Sequence, residues 1–189
     1  MQEEWLIAGK KYRIERLLGH GKGGYSYLAA CEGAPVVVKQ IHHEPCAYYA
    51  FGNKMEAELR DYKRLQAAGI RIPALLAWDD KAERLVKEYI QGDTVFSLIK
   101  GGVSADAFLP QVRFMAAQAR SAGLNIDYFP TNFVVRDRLL WYVDYECNEY
   151  MDEWSFDNWG VKYWSMTPEF RKYLEENDRD RGLLQPSGS

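Results

Sequence analysis

In APVVVKQI, Ala34–Ile41, a lysine stands inside a run of β-branched residues that otherwise reads as a strand. Lys39 follows Val37 by two positions, so the two share one face of that strand. Alone, such a lysine is an edge-strand charge turned to water. A partner is within reach of the pattern, however. Glu58 lies beside the apolar stripe of Met55, Leu59, Tyr62 and Leu65, where its carboxylate could fix the ammonium. Upstream, LLGHGKGGYSYL packs Gly19, Gly21, Gly23 and Gly24 into six positions between two expected strands. With no Cβ in the way, the backbone N–H groups of such a hairpin can lie over triphosphate oxygens. A dinucleotide fingerprint needs a helix after its glycines, and GHGKGGYS lacks the GxxxxGK and following Ser or Thr of a P-loop, so neither applies. Downstream, Asp127 and Asn132 lie five apart in NIDYFPTNFVV, and Asp144 closes the run in LLWYVDYE. Singly, these are a flexible hairpin, a solvated lysine and an Asx-rich turn stiffened by Pro130. Their fixed order makes them a set.

The elements that must position this set change character along the chain. Aromatic and apolar residues flanking the glycines predict strands at 12–18 and 25–31, followed by the strand at 34–41. From Asn53 the apolar period becomes three or four residues and runs to a glycine stop at Gly69, which predicts an amphipathic helix. IRIPALLAWDD and ERLVKEYIQG predict two strands about a turn at 79–81. Residues 110–122 read as a helix, and short strands are expected at 133–135 and 139–143. Thr167 and Pro168 have the types of an N-cap and first helical residue. The aromatic residues of EYMDEWSFDNWGVKYWSM read as a packed platform beneath a loop. Residues 178–189 are polar, charged and glycine-bearing, which predicts a frayed tail.

A chain of 189 residues, 47% hydrophobic, suffices for one domain or two small lobes sharing a cleft. Its net charge of -3 offers no global field for nucleic acid or an anionic membrane, so any phosphate must be held locally. No apolar run approaches the ~20 residues of a membrane span, and MQEEWLIAGKKY lacks the layout of a signal peptide. A cytoplasmic location is expected. Cys31, Cys46 and Cys147 are odd in number and free of CxxC spacing, which predicts isolated reduced thiols. His42 and His43 read as part of a solvated loop.

The ordered set resembles the protein-kinase-like superfamily over about residues 12–148, carried by LLGHGKGG, VVVKQI, EAELRDYKRLQAAGIRIP, VKEYIQG, DYFPTN and VDYE. That resemblance implies an α+β fold and one minimal domain over 1–177. A small antiparallel β-rich N-lobe would span about 1–90 and a reduced, mainly helical C-lobe about 91–177, with ATP between them and a flexible tail at 178–189. It implies that Lys39 holds the α and β phosphates beneath a flap containing Gly19, Gly21 and Gly24, with Val37 beside it, and that Glu58 orients Lys39. Glu88, Tyr89 and Ile90 would form a hinge that meets adenine through backbone groups. Asp127 would take the catalytic aspartate role, and Asn132 and Asp144 would ligate Mg²⁺.

The sequence departs from the family's usual spelling in informative ways. Asn125 and Ile126 replace the histidine and arginine before the catalytic aspartate, so activation-loop phosphorylation acting through that arginine is not expected. The triplet that by this resemblance would stand at the metal-binding position is Asp144, Tyr145 and Glu146, a DYE spelling similar to that of choline and aminoglycoside phosphotransferases. Lys87 stands just before the hinge, where a buried charge would need Glu58, Asp144 or a ligand as partner. Only 43 residues follow Glu146, which makes small atypical kinases of the RIO-like sort the closer comparison. The expected function is Mg²⁺- and ATP-dependent phosphoryl transfer to a hydroxyl, with a protein Ser or Thr as first acceptor. Two alternatives stay open. One is a small-molecule kinase whose acidic, aromatic region holds a cationic acceptor. The other is a pseudokinase that binds nucleotide as an interaction module.

Overall fold

The protein is described by a computed structural model covering residues 3–21, 23–43 and 53–183. Strands and helices form an α+β fold that divides into two compact units. The first is Met1–Gln91 together with Val143–Glu146, and the second is Gly92–Tyr142 together with Cys147–Ser189. Cys46 lies outside the described residues, while among the described residues neither Cys31 nor Cys147 is in a disulfide. Among the described residues, no helix is long and apolar enough to cross a membrane.

In the first unit six antiparallel strands pair in the order β1-β2-β3-β4-β6-β5: β1 Glu4–Ile7, β2 Lys10–Gly21, β3 Gly24–Cys31, β4 Ala34–Ile41, β5 Leu75–Asp79 and β6 Arg84–Glu88. Alternation along β4 sends Val36 and Val38 into one core with Ile7, Tyr12, Ala29 and Val86. The opposite face carries Ile41, which packs with Leu85 against Met55 and Leu59 of helix α1, Lys54–Ala67. Lys39 shares that second face. The helix begins because the Asn53 side chain accepts from Glu56 N at 3.2 Å, and Gly69 follows its end at φ +77°. The turn after β5 is held by Asp79 Oδ1, which accepts from Lys81 N and Ala82 N at 2.9 and 3.0 Å.

The sequence places the glycines between two strands, but β2 is longer than its apolar core suggests and contains Gly19 and Gly21. Gly24 opens β3, and there a glycine is required: a Cβ would stand 2.4 Å from Gln40 O on the paired strand. Among the described residues, a Cβ at Gly19 or Gly21 would meet nothing within 4 Å. This contrast yields a prediction. Gly24→Ala should force β3 and β4 apart and lower stability by about 1–3 kcal/mol in urea unfolding, whereas Gly21→Ala should change stability little. Equal losses would show that the pairing at Gly24 is looser than described.

The second unit holds α2 Val95–Lys100, α3 Leu109–Ser121 and α4 Pro168–Leu183, with two small sheets. One runs β10-β9-β7, from Leu139–Tyr142, Phe133–Arg136 and Asp93–Thr94, and the other pairs β8 Leu124–Ile126 with β11 Cys147–Glu149. Asp137 and Arg138 turn the β9–β10 hairpin at positive φ. Thr94 caps α2 and Thr167 caps α4, where its hydroxyl accepts from Phe170 N at 3.1 Å. Helix α4 continues through 178–183, so part of the segment that reads as a tail is helical; residues 184–189 lie outside the described residues.

Candidate functional site

The first unit gathers three of the residues singled out by type and spacing. Because β4 lies between β3 and β6, Lys39 is on an interior strand and only 7% exposed, which removes the solvated-edge explanation. Its Nζ donates to Glu58 Oε1 and lies 3.5 Å from Asp144 Oδ1. Burial alone would lower the Lys39 pKa, but the Glu58 and Asp144 carboxylates reverse that and hold it above the usual lysine range. Gly23 borders the pair: a Cβ there would be 3.4 Å from Lys39 Nζ and 3.5 Å from Glu58 Oε1. The glycine-bearing hairpin therefore approaches the ammonium with backbone rather than side chain. Val37, on the same face of β4, is half-buried.

Asp144 reaches this cluster because its neighbours anchor it. Tyr145 is fully buried, donates its hydroxyl to Pro73 O at 2.8 Å, and packs 4.9 Å from the Tyr62 ring of α1. Its backbone N–H donates to Asp144 Oδ1 at 2.7 Å. The Tyr145 phenol is pushed up by burial and stays protonated, as a donor must. Lys87 completes the group from β6, pairing with Val37 in register and so sharing the face of Lys39. It is 4% exposed, and its partner is one the sequence does not suggest. Lys87 Nζ donates to Val143 O at 2.8 Å and lies 4.6 Å from the Tyr145 ring centroid. Burial and the Lys39 charge push its pKa down. Lys87 thus ties the backbone just before Asp144 to the sheet.

These charges set a pH dependence. Burial would raise the Asp144 pKa, but Lys39 and Lys87, with the Tyr145 N–H, hold it below the usual carboxylate range. A carboxylate depressed on folding contributes stability that is present above its unfolded pKa of about 3.9 and is lost as pH falls through the lower folded value. Unfolding free energy should therefore fall with acidification below about pH 4, and Asp144→Asn should flatten part of that fall. An unchanged slope in the variant would mean that Asp144 is not held by these cations.

The expected hinge residues follow β6. Glu88 ends the strand, its N–H bonding to Ala74 O at 2.9 Å and its carboxylate accepting from Ala74 N at 3.3 Å. Tyr89 is half-buried, Ile90 is buried, and both lie outside regular elements.

In the second unit, Asp127 and Asn132 share one loop between β8 and β9. Asp127 Oδ1 accepts from Phe129 N at 3.0 Å, an Asx turn, and its own N–H lies 3.3 Å from Tyr142 Oη. Asn132 Nδ2 donates to Asp127 O at 3.4 Å. Aromatic residues hold the loop from below. Trp164 is buried and donates its indole N–H to Tyr128 O at 2.8 Å, with Phe133 and Phe156 edge-on to its ring. Gly160 is needed here, since a Cβ would stand 2.6 Å from Tyr128 Cβ. Phe129 packs against Tyr163 and Tyr173. These aromatic residues form the packed platform that their sequence predicts.

Two of the acidic residues beyond Asp144 are engaged locally. Asp152 accepts from Tyr150 Oη at 2.8 Å and from Asn158 Nδ2 at 3.0 Å, and Asp157 pairs with Arg113. Among the described residues, no group of three or more His, Cys, Asp or Glu side chains could hold a metal ion. A surface cavity elsewhere on the first unit, lined by Lys10, Arg13, Cys31 and Glu32 among others, contains none of the site residues. Sequence spacing misses Lys87 as a tether of Asp144 and the role of Tyr145 as its anchor. A buried-type tyrosine directly after the aspartate was the available signal for the second. No protein-family model matches the chain, and no curated protein matches its sequence.

Proposed function

We propose that the chain is a Mg²⁺- and ATP-dependent phosphotransferase of the protein-kinase-like sort, acting on a hydroxyl acceptor, first a protein Ser or Thr. The observation that carries this reading is the buried Lys39 paired with the half-buried Glu58 and Asp144 and bordered by the backbone of a glycine-bearing hairpin. Its residues fit a magnesium nucleotide. Lys39 keeps its charge, and the Asp144 side chain remains 28% exposed as a hard oxygen donor. Among the described residues, the buried Glu58 Oε2 has no hydrogen-bond partner and a Cβ at Gly19 or Gly21 would meet nothing within 4 Å.

Magnesium ATP would supply the γ-phosphoryl group and the neutralisation its transfer requires. Lys39 would hold phosphate oxygens, Glu58 would orient it, and residues 88–90 would meet the base through backbone groups. Asp144 in the first unit and Asn132 in the second carry the metal-ligand assignments. Asp127 would accept or orient the proton of the acceptor hydroxyl. A macromolecular acceptor is favoured because Asp152 and Asp157 are already paired and Phe156 and Trp164 are packed inside, which leaves less of the acidic, aromatic region to hold a cation.

The test is incubation with Mg²⁺ and γ-labelled ATP, with and without cell extract. Label at protein Ser or Thr supports the proposal. Label only on aminoalcohols or sugars moves the acceptor to small molecules, and nucleotide binding without any transfer leaves the pseudokinase reading in its place.

A further inference from the structure

We propose that His20, His42 and the Gly21 carbonyl form a three-donor site for a late first-row divalent cation, with zinc as the representative, at the tip of the β2–β3 hairpin. His20 lies near the end of β2 and His42 directly follows β4, so β3 separates them in the sheet. Their Nε2 atoms are nonetheless 3.2 Å apart, and His42 Nε2 is 3.0 Å from Gly21 O. Two ligands at zinc-nitrogen distances of 2.0–2.1 Å in a tetrahedral shell are separated by about 3.3 Å. Both distances are thus close to the edge of that shell.

The arrangement is held before any metal arrives. His20 pairs in register with Tyr25, whose ring stacks on the imidazole at 4.3 Å and 6°. The same Tyr25 ring is 5.2 Å from His42. In the metal-free arrangement a proton on His42 Nε2 can be donated to Gly21 O and toward His20 Nε2. A cation would take the deprotonated Nε2 of each imidazole, the form in which both histidines are neutral. With only two side-chain donors, the affinity expected is micromolar rather than that of a closed structural zinc site. Imidazole donors favour zinc, nickel or copper over magnesium or calcium. This site does not depend on the proposed phosphotransferase activity.

The chain has three histidines, which provides an internal control: His43 instead contacts Glu83 Oε2 at 2.7 Å. Titrating metal-free protein with Zn²⁺ by calorimetry should give one saturable site, and imidazole NMR signals of His20 and His42 should shift while that of His43 should not. His20→Ala should weaken binding at least about tenfold. So should His42→Gln, which keeps an amide donor for Gly21 O. His20 is exposed and His42 half-buried, so the melting temperature without metal should change less than the affinity does. His43→Ala should leave the affinity within about twofold, as for a residue outside the shell. No saturable binding up to millimolar zinc, or undiminished binding in both the His20 and His42 variants, would overturn the proposal.

Discussion

Asp127→Asn is expected to lower phosphoryl transfer by about 10²–10⁴-fold, the usual contribution of a positioned general base. Mg-ATP affinity should stay within about twofold, because the residue is assigned to the acceptor hydroxyl rather than to phosphate. The substitution separates chemistry from folding unusually well. Asparagine retains the Oδ1 that accepts from Phe129 N, so the Asx turn is kept while the charge and basicity are lost. Single-turnover kinetics with a labelled acceptor, paired with calorimetry on the same preparation, would read both quantities. Full transfer activity in the variant would remove Asp127 from the catalytic role.

Lys39→Met should be costly in a different currency. It leaves the half-buried Glu58 and Asp144 carboxylates near Lys87 without their closest cation, and breaking such a pair lowers stability by about 3 kcal/mol. Adding Glu58→Leu should recover part of the loss, since both partners of the closest ion pair are then gone. Urea unfolding of the two single variants and the double variant tests this. A Lys39→Met variant within about 0.5 kcal/mol of its parent would mean that the pair is solvated, as surface pairs are.

Much of this site was legible because its signals are local. The β-branched run around Lys39, the apolar period of α1 with its Asn53 cap, and the Asx turn at Asp127 each depend on residues close in sequence. What was illegible is long-range or short. Lys87 finds its acceptor 56 residues away at Val143, and no periodicity encodes that contact. Strands β7, β8 and β11 have two or three residues each, too few to show alternation, and exist through pairing with distant partners. Strand β2 outruns its apolar core because β3 supplies backbone partners as far as Gly21, where exposed side chains give no signal. The two histidines meet for the same reason: sheet pairing, not spacing, brings position 20 to position 42.

The most direct measurement of the central claim is calorimetry of the unmodified chain with Mg-ATP. Saturable one-to-one binding that depends on Mg²⁺, is weakened at least about tenfold by Lys39→Met, and raises the melting temperature by mass action is the predicted result. Absence of any heat or thermal shift with millimolar Mg-ATP would contradict it, and the buried lysine cluster would then be a structural ion pair alone.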